Sequence, residues 1–304
     1  MNMTEQTYCG IASLTGRPNV GKSTLLNQLV AQKISITSRK KQTTRQTIRG
    51  IKTQGNQQII FVDTPGLHQK ERSRLNHYMN QTARDALLAV DLIIMVMEAG
   101  KITHEDIWIL KLVLKQPAKK ILVINKIDQL PDKKQLLPQM NRIQEEATAS
   151  DAVFHAIIPL SAFLAQDIAL LQQQVMQWMP VSPFLFPEHM VTDLNENQLI
   201  SEIIREQLIR FTGQELPYQT HVAIEQNKPI HKVQHIYAVI YVARPGQKLI
   251  ILGQDGIRLK KMATIARKNM EKLMDKKVML RLWIKVKENW TDDKIKMQQL
   301  GYFR

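Results

Sequence analysis

The stretch Gly16-Arg17-Pro18-Asn19-Val20-Gly21-Lys22-Ser23 constrains this chain more than any other. It fits G-x-x-x-x-G-K-[ST], a loop whose backbone N–H groups turn toward an anion. An apolar segment, Tyr8 to Leu14, leads into it, and Thr24 to Val30 leads out with a helical pattern. A strand, a tight loop and a helix in that order put the positive end of the helix behind the loop. The motif therefore demands a strand–helix unit of α/β type and implies a phosphate ligand. Lys22 supplies a point charge for the outer phosphates, and the Ser23 hydroxyl is a ligand for Mg²⁺.

Two further motifs narrow the ligand. Asp63-Thr64-Pro65-Gly66 follows the apolar run Ile59-Ile60-Phe61-Val62, so Asp63 falls at the carboxyl end of a buried parallel strand, where ligands of such sheets lie. There it can hold Mg²⁺ through a water, and the Gly66 amide can reach a γ-phosphate. Asn125-Lys126-Ile127-Asp128 follows a second buried run, Ile121 to Ile124. The Asp128 carboxylate can accept two hydrogen bonds from one planar base edge. Guanine offers a ring N–H beside an exocyclic amine and adenine does not, so the ligand is GTP. Asn125 can tie neighbouring loops together, the Lys126 stem can cover the base, and Ser161-Ala162 can offer a backbone amide to the guanine oxygen.

Between the first two motifs lies Ser38-Arg39-Lys40-Lys41-Gln42-Thr43-Thr44-Arg45, polar and basic. A threonine here can bring its hydroxyl to Mg²⁺ and its amide to the γ-phosphate only while GTP is bound, and Thr44 is favoured over Thr43. Such a loop is an order–disorder switch. The residue after Gly66 is Leu67, where Ras-like GTPases carry a glutamine that orients the attacking water. Leucine cannot do this, so intrinsic hydrolysis is expected to be slow. Asn19 is the candidate substitute, because its carbonyl oxygen could hold K⁺ beside the β- and γ-phosphates. On this reading Asn19, Lys22, Thr44 and Gly66 carry the catalysis.

The 304 residues have room for two domains, and a hydrophobic content of 44% can fill their cores. A single cysteine, Cys9, excludes an internal disulfide and suits a reducing compartment. Met1 to Thr7 is polar and unlike a secretory signal, and the most apolar run, Leu87 to Met97, is interrupted by Asp91. A soluble, cytoplasmic protein is expected. The net charge of +15 implies a polyanionic partner. It is concentrated: Lys33 to Lys52 holds seven basic residues and no acid, and Arg244 to Arg304 sixteen basic against six acidic.

The first part of the chain alternates apolar runs with helical patterns, which reads as a mostly parallel sheet with helices on both faces. Strands are expected at Gly10–Leu14, Gln58–Val62, Leu92–Met97, Lys120–Ile124 and Val153–Ile158. Helices are expected at Asn76–Val90, Ile102–Leu114, Lys133–Ala147 and Asp167–Met179. Three prolines between Pro180 and Pro187 read as a semi-rigid linker. The expected division is a nucleotide domain at 1–180, a linker at 181–190 and a second domain at 191–304. That second domain reads as a smaller α+β module. It should run through a helix at Asn197–Phe211, strands at Thr220–Gln226 and His235–Ala243, a Gly-x-x-Gly turn after a strand, a basic helix and a last strand.

The turn is Gly253-Gln254-Asp255-Gly256, and Arg258, Lys260 and Lys261 follow it, with Arg267 and Lys268 further along. In KH domains such a turn lets the backbone approach phosphates and clamps about four nucleotides. In the last strand, Leu280, Leu282, Ile284 and Val286 are expected in the core. Arg281, Trp283, Lys285 and Lys287 face the other way, on either a solvated face or an RNA surface. His231 and His235 have metal-like spacing but no third ligand in sequence.

The nucleotide motifs in this order define the translation-factor-related class of GTPases. Proline and asparagine within Gly16 to Ser23, followed by Gln42-Thr43-Thr44-Arg45, resemble the Era family of bacterial GTPases. Ser201-Glu202-Ile203-Ile204-Arg205-Glu206, Glu215-Leu216-Pro217-Tyr218, Leu282 to Trp290 and Leu300-Gly301-Tyr302 resemble the RNA-binding domain of that family. The resemblance covers nearly the whole chain. It implies a GTP-dependent switch that binds small-subunit ribosomal RNA near its 3′ end and assists assembly of the small ribosomal subunit. It also implies peripheral association with the inner face of the membrane; separately, a monomer is expected.

Two positions depart from the family pattern. Phe163 to Gln166 lacks a glycine often found after the serine–alanine pair. Gln254 and Asp255 replace a usual lysine in the Gly-x-x-Gly turn, and an acid there costs affinity for RNA phosphates. At the level of sequence three other readings stay open: an RNA chaperone with negligible hydrolysis, a P-loop kinase or ATPase, and a protein that uses its basic patch on anionic lipid.

Overall fold

The computed structural model describes residues 6–38, 40, 43–69, 73–213 and 216–302. Arg39, Lys41 and Gln42 of the basic loop, Glu215 and Arg304 lie outside the described residues. The chain forms two compact units, one of residues 1–37, 41–71 and 79–193, the other of 38–40, 72–78 and 194–304.

The first unit is built on a six-stranded sheet. Its elements are β1 (Tyr8–Thr15), α1 (Lys22–Leu29), β2 (Ile48–Gln54), β3 (Gln57–Asp63), the part of α2 (Arg74–Asp85) from Met79 onward, β4 (Leu92–Glu98), α3 (His104–Leu114), β5 (Lys119–Asn125), α4 (Leu136–Thr148), β6 (Ala156–Leu160) and α5 (Ala165–Met176). The strand order is β2-β3-β1-β4-β5-β6, parallel except for β2, which pairs antiparallel with β3. Leu92 to Met97 is buried at every position because helices cover both faces of a parallel sheet. The parallel register sets Leu14 beside Asp63, and Glu98 beside Asn125, which sits beside Leu160. The ligand-side ends of these strands are thereby aligned, where a doubly wound sheet places its site.

Three expectations need correction here. Strand β2 is not among the expected strands, because Arg49 and Lys52 interrupt its apolar pattern; Gly55 and Asn56 turn it into β3. The last strand begins at Ala156, not Val153, since pairing starts only where the His155 amide reaches the Lys120 carbonyl at 2.8 Å. Val153 is exposed and Phe154 joins the core from a loop. The helix expected to reach Val90 stops at Asp85, where Leu87 switches to a bond with the Arg84 carbonyl three residues back.

Gln58, fully buried, fixes the proline-rich stretch. Its carbonyl oxygen accepts from the amides of Leu185 and Phe186 at 2.9 and 3.0 Å, and its amide donates to the Phe186 carbonyl at 2.8 Å. Phe184, Phe186 and Met190 pack on Cys9, Ile51 and Ile60, and Ile51 donates to the Val191 carbonyl. The segment therefore lies against the sheet up to Asp193.

The second unit contains α6 (Glu196–Phe211), β7 (Thr220–Ile230), β8 (Val233–Val242), α7 (Pro245–Leu252), α8 (Ile257–Met274), β9 (Lys277–Val286) and α9 (Lys294–Gln299). The sheet order is β7-β8-β9, with the first pair antiparallel and the second parallel. Ile200, Ile204 and Leu208 of α6 and Met262, Ala266 and Met270 of α8 pack on Ile236, Ala238 and Ile240 of the sheet. The apolar run before the Gly-x-x-Gly turn is a helix, not a strand: Pro245 opens α7, a position its fixed φ favours. The turn thus joins two helices. Val286, expected in the core, is 38% exposed at the last position of β9, an edge strand. No helix among the described residues is long and apolar enough to cross a membrane.

Candidate functional site

The phosphate-loop residues stand between β1 and α1 in a conformation that two glycines permit. Gly16 (φ 146°) and Gly21 (φ 104°) lie where L side chains are strained, and Asn19 (φ 68°) follows the same left-handed bend. A Cβ on Gly16 would fall 2.3 Å from the Val96 carbonyl oxygen, and one on Gly21 2.2 Å from the Asn125 amide nitrogen. The loop is therefore pressed against the ends of β4 and β5. Pro18 and Val20 are buried beneath it, and Gly66 packs directly on Pro18.

Lys22 is buried, and its Nζ donates to the carbonyls of Gly16 and Arg17, both at 3.0 Å. Burial lowers its pKa to about 8, against the pull of Asp63. Close by, Ser23, Thr44 and Asp63 form one knot. The Ser23 hydroxyl donates to Asp63 Oδ2 at 2.7 Å, Thr44 donates to the same oxygen at 3.1 Å, and the two hydroxyls are 3.0 Å apart. Burial pushes the Asp63 carboxyl up, while Lys22, Ser23, Thr44 and Ser35 draw it back. Asp63 Oδ1 is buried without a hydrogen-bond partner. An all-oxygen donor set with one unspent carboxylate oxygen fits a hard cation such as Mg²⁺.

Asn125 joins three loops. Its amide donates to the Val20 carbonyl at 2.8 Å, and its oxygen accepts from the amides of Lys126 (2.8 Å) and Ala162 (3.1 Å). Asp128 is exposed on a one-turn helix, Ile127–Gln129. The amides of Ser161 and Ala162 are taken by Asp167 and Asn125 in this structure. Thr64 donates to the Leu14 carbonyl at 2.8 Å, pinning Asp63-Thr64-Pro65-Gly66 against β1. Leu67 is fully buried in the core with Met95 and Ile109, so it has no access to a nucleotide.

Arg17 is expected from sequence to contact nucleotide through the backbone of the loop, and its side chain points into the protein. It donates to Glu98 at 2.8 Å and to both carboxylate oxygens of Asp106 at 3.1 Å. Lys126 lies 3.5 Å from the same Glu98, so one carboxylate links the phosphate loop to the base-side loop. Burial raises the Glu98 carboxyl, but Lys126 and Arg17 together outweigh it and hold it below the usual range.

Sequence reasoning misses four supporting residues. Ser35 donates to Asp63 at 3.1 Å, and Asn27 fixes it by accepting from the amides of Ile34 and Ser35, both at 2.9 Å. Nothing in sequence marks a lone loop serine. Glu98 and Asp106 complete the set; only Asp106 leaves a trace, in the Thr103-x-x-Asp106 capping box.

In the second unit, Gly253, Asp255 and Gly256 all have positive φ, so an aspartate occupies a left-handed position in the turn. Gln254, Asp255, Lys260 and Lys261 line the turn and the start of α8, and Asp255 and Lys261 are exposed. Arg258 instead donates to the Ile250 carbonyl and closes the end of α7.

The family described as 50S ribosome-binding GTPase matches residues 11–126, and the KH domain family matches residues 215–291. GTPase Era of Coxiella burnetii (strain Dugway 5J108-111) is 47% identical over 97% of this chain and 98% of its own. GTPase Era of Pseudomonas fluorescens (strain Pf0-1) is 44% identical over 99% of both. Among solved structures, Era in complex with MgGDPNP and nucleotides 1506-1542 of 16S ribosomal RNA superposes with a TM-score of 0.92 at 34% identity, covering 97% of this chain and 99% of that one. A single-substitution variant of Aquifex aeolicus Era bound to GDP.AlF4- gives 0.91 over the same shares. With P-loop geometry in one unit, a helix–turn–helix on a three-stranded sheet in the other, and relatives of this identity along its whole length, the chain belongs to the Era family of GTPases.

Proposed function

We propose that the protein is a GTP-hydrolysing switch that binds small-subunit ribosomal RNA near its 3′ end and assists assembly of the small ribosomal subunit. The observation that carries this reading is the Ser23–Thr44–Asp63 knot beside Lys22, in a chain whose relative is solved with both MgGDPNP and a 16S segment. Gly16 to Ser23 would wrap the phosphates, Lys22 holding the outer ones. Asn125, Lys126 and Asp128, with Ser161 and Ala162, would hold guanine. Ser23, Thr44 and Asp63 would hold Mg²⁺, which neutralises phosphate charge when bound. Thr44 can serve γ-phosphate only if its loop follows, which makes that loop the sensor of the nucleotide state. Gly66, packed on Pro18, is set to report the γ-phosphate through its amide.

Hydrolysis has no glutamine at Leu67. Asn19, on the outer bend of the phosphate loop, would seat K⁺ and so offset charge that develops between the β- and γ-phosphates. The RNA site would centre on Gly253, Gln254, Asp255 and Gly256, with Lys260 and Lys261 supplying phosphate contacts and Arg258 shaping the turn. The protein is read as a cytoplasmic monomer with peripheral affinity for anionic membrane.

GTP turnover by the pure protein tests this, with and without RNA of the 16S 3′ segment, in K⁺ and in Na⁺. Slow turnover in Na⁺ that rises with K⁺ and with RNA is expected, with Asn19→Ala losing only the K⁺ response. Turnover indifferent to RNA removes the switch, and turnover indifferent to the cation removes the role of Asn19. Asp128→Asn should move preference toward xanthine nucleotides; unchanged guanine selectivity would overturn the base assignment.

A further inference from the structure

The sheet of the second unit has two faces, and only one is covered by α6 and α8. Ile236, Ala238 and Ile240 of β8 face those helices, so Tyr237, Val239 and Tyr241 face the other way. On β9 the same alternation puts Arg281, Trp283 and Lys285 on that outer face, in register with Tyr237, Val239 and Tyr241. At one end His221 lies under Trp290 and Tyr302, with ring centroids 6.1 and 5.5 Å away. Beyond that end Trp283 is 42% exposed and Arg281 is exposed, Tyr237 is half-buried, and Val239 beside Trp283 is fully buried.

The exposed part is already organised as a stacking platform. Tyr237 and Trp283, diagonal neighbours across the strands, lie 5.7 Å apart at 12°, and Arg281 sits 5.9 Å from the Tyr237 ring. Toward the covered end Lys287 lies 5.9 Å from Tyr241 and donates to Gln299 of α9 at 2.7 Å. Apart from Lys285, which pairs with Glu225 at 2.9 Å, the positive charge here meets no carboxylate on these strands: β8 and β9 contain no acidic residue. An indole with one face to solvent, backed by a second ring and flanked by guanidinium and ammonium groups, matches unpaired bases on a phosphate backbone. A lipid surface would use the charge and could bury the indole, but the near-parallel Tyr237–Trp283 pair presents a flat π-face, which suits a base.

Resting on the RNA-binding reading above, we propose that this outer face holds a second stretch of RNA, separate from the one at Gly253–Gly256. A base stacks on Trp283, and Arg281 and Lys287 take its flanking phosphates. The two sites lie on opposite sides of the sheet, because the turn belongs to the helical layer of α7 and α8. One short single strand therefore cannot fill both, and only a longer or folded RNA can.

The test measures binding of full-length protein to two RNAs by fluorescence anisotropy. One is the 1506–1542 segment of 16S RNA; the other is a single strand of about four nucleotides, the length one Gly-x-x-Gly turn clamps. Trp283→Ala should weaken the long RNA about ten-fold and leave the short one unchanged, and Trp283→Phe should restore most of the loss. Arg281→Gln with Lys287→Gln should reduce the salt slope for the long RNA by about 1.4, some 0.7 per phosphate contact. Unchanged affinity for the long RNA in all variants overturns the proposal. So does an equal loss for both RNAs, which would mean one continuous site or a damaged domain. A loss confined to phosphatidylglycerol vesicles, with RNA unaffected, assigns the face to lipid instead. If the wild type binds neither RNA, the RNA-binding reading itself falls, and the second site with it.

Discussion

Single residues in the nucleotide unit carry more than one duty, and this makes their substitution informative. Leu67 stands where a water-orienting glutamine is found in Ras-like GTPases, but the structure buries it completely among Met95, Met97 and Ile109. Leu67→Gln should therefore not accelerate hydrolysis. It would place an amide in the core and lower stability by about 2 kcal/mol, measured by urea unfolding. Glu98 shows the opposite pattern, a carboxylate partly in solvent that bridges Arg17 and Lys126. Because its folded pKa is depressed, its contribution is fully present above the ordinary glutamate value of 4.5 and is lost as pH falls through the lower folded value. Glu98→Gln should lower stability at pH 7, by well under about 1 kcal/mol after solvent screening, and the gap to wild type should close as pH falls from 4.5 through the lower folded value. A gap that stays constant on further acidification would show that the charge has no part.

At the scale of elements, α3 illustrates how a helix end can serve a loop on another strand. Thr103 caps the helix by accepting from the Asp106 amide, while Asp106 Oδ2 accepts from the Thr103 amide at 2.9 Å. The same carboxylate holds Arg17 of the phosphate loop. Removing the cap and removing the anchor should thus separate. Thr103→Ala should cost about 1 kcal/mol of stability and leave GTP affinity within about two-fold. Asp106→Ala should cost more stability and also weaken GTP binding about ten-fold, because the half-buried Arg17 is left with fewer partners. Calorimetric titration beside chemical denaturation reads both. If both variants lose affinity alike, Arg17 is not what carries the effect.

The elements also show where a sequence runs out of information. Buried parallel strands are legible as continuous apolar runs, and Thr103-x-x-Asp106 is a visible helix start. Strand β2 is not, because it is an edge strand whose Arg49 and Lys52 break the apolar pattern. Helix α7 reads as a strand from sequence, since Leu249 to Leu252 is too short and too apolar for its period to show.

The whole molecule is two cores joined by one chain, each with its own hydrophobic clusters. Ligands that bind one unit should stabilise that unit first. A GTP analogue at about a hundred times its dissociation constant should add about 2.7 kcal/mol to the nucleotide unit, and RNA should do the same for the other. Scanning calorimetry should accordingly show two transitions that the two ligands move separately. A single transition moved equally by either would show that the units unfold together.

Sequence by itself determined the chemistry of the nucleotide end. Gly16 to Ser23, Asp63 to Gly66 and Asn125 to Asp128 are contiguous motifs, and a contiguous motif needs only its own backbone to be recognised. The partition into a P-loop unit and a basic α+β unit was equally plain from apolar runs and charge. The tertiary structure alone decided what crosses the chain: Ser35 and Asn27 behind Asp63, Glu98 between two loops, Arg17 turned inward. It alone assembled Tyr237, Trp283, Arg281 and Lys287 into one surface. These groups are brought together by sheet register and helix packing, which act between residues far apart in sequence and leave no local trace at any of them.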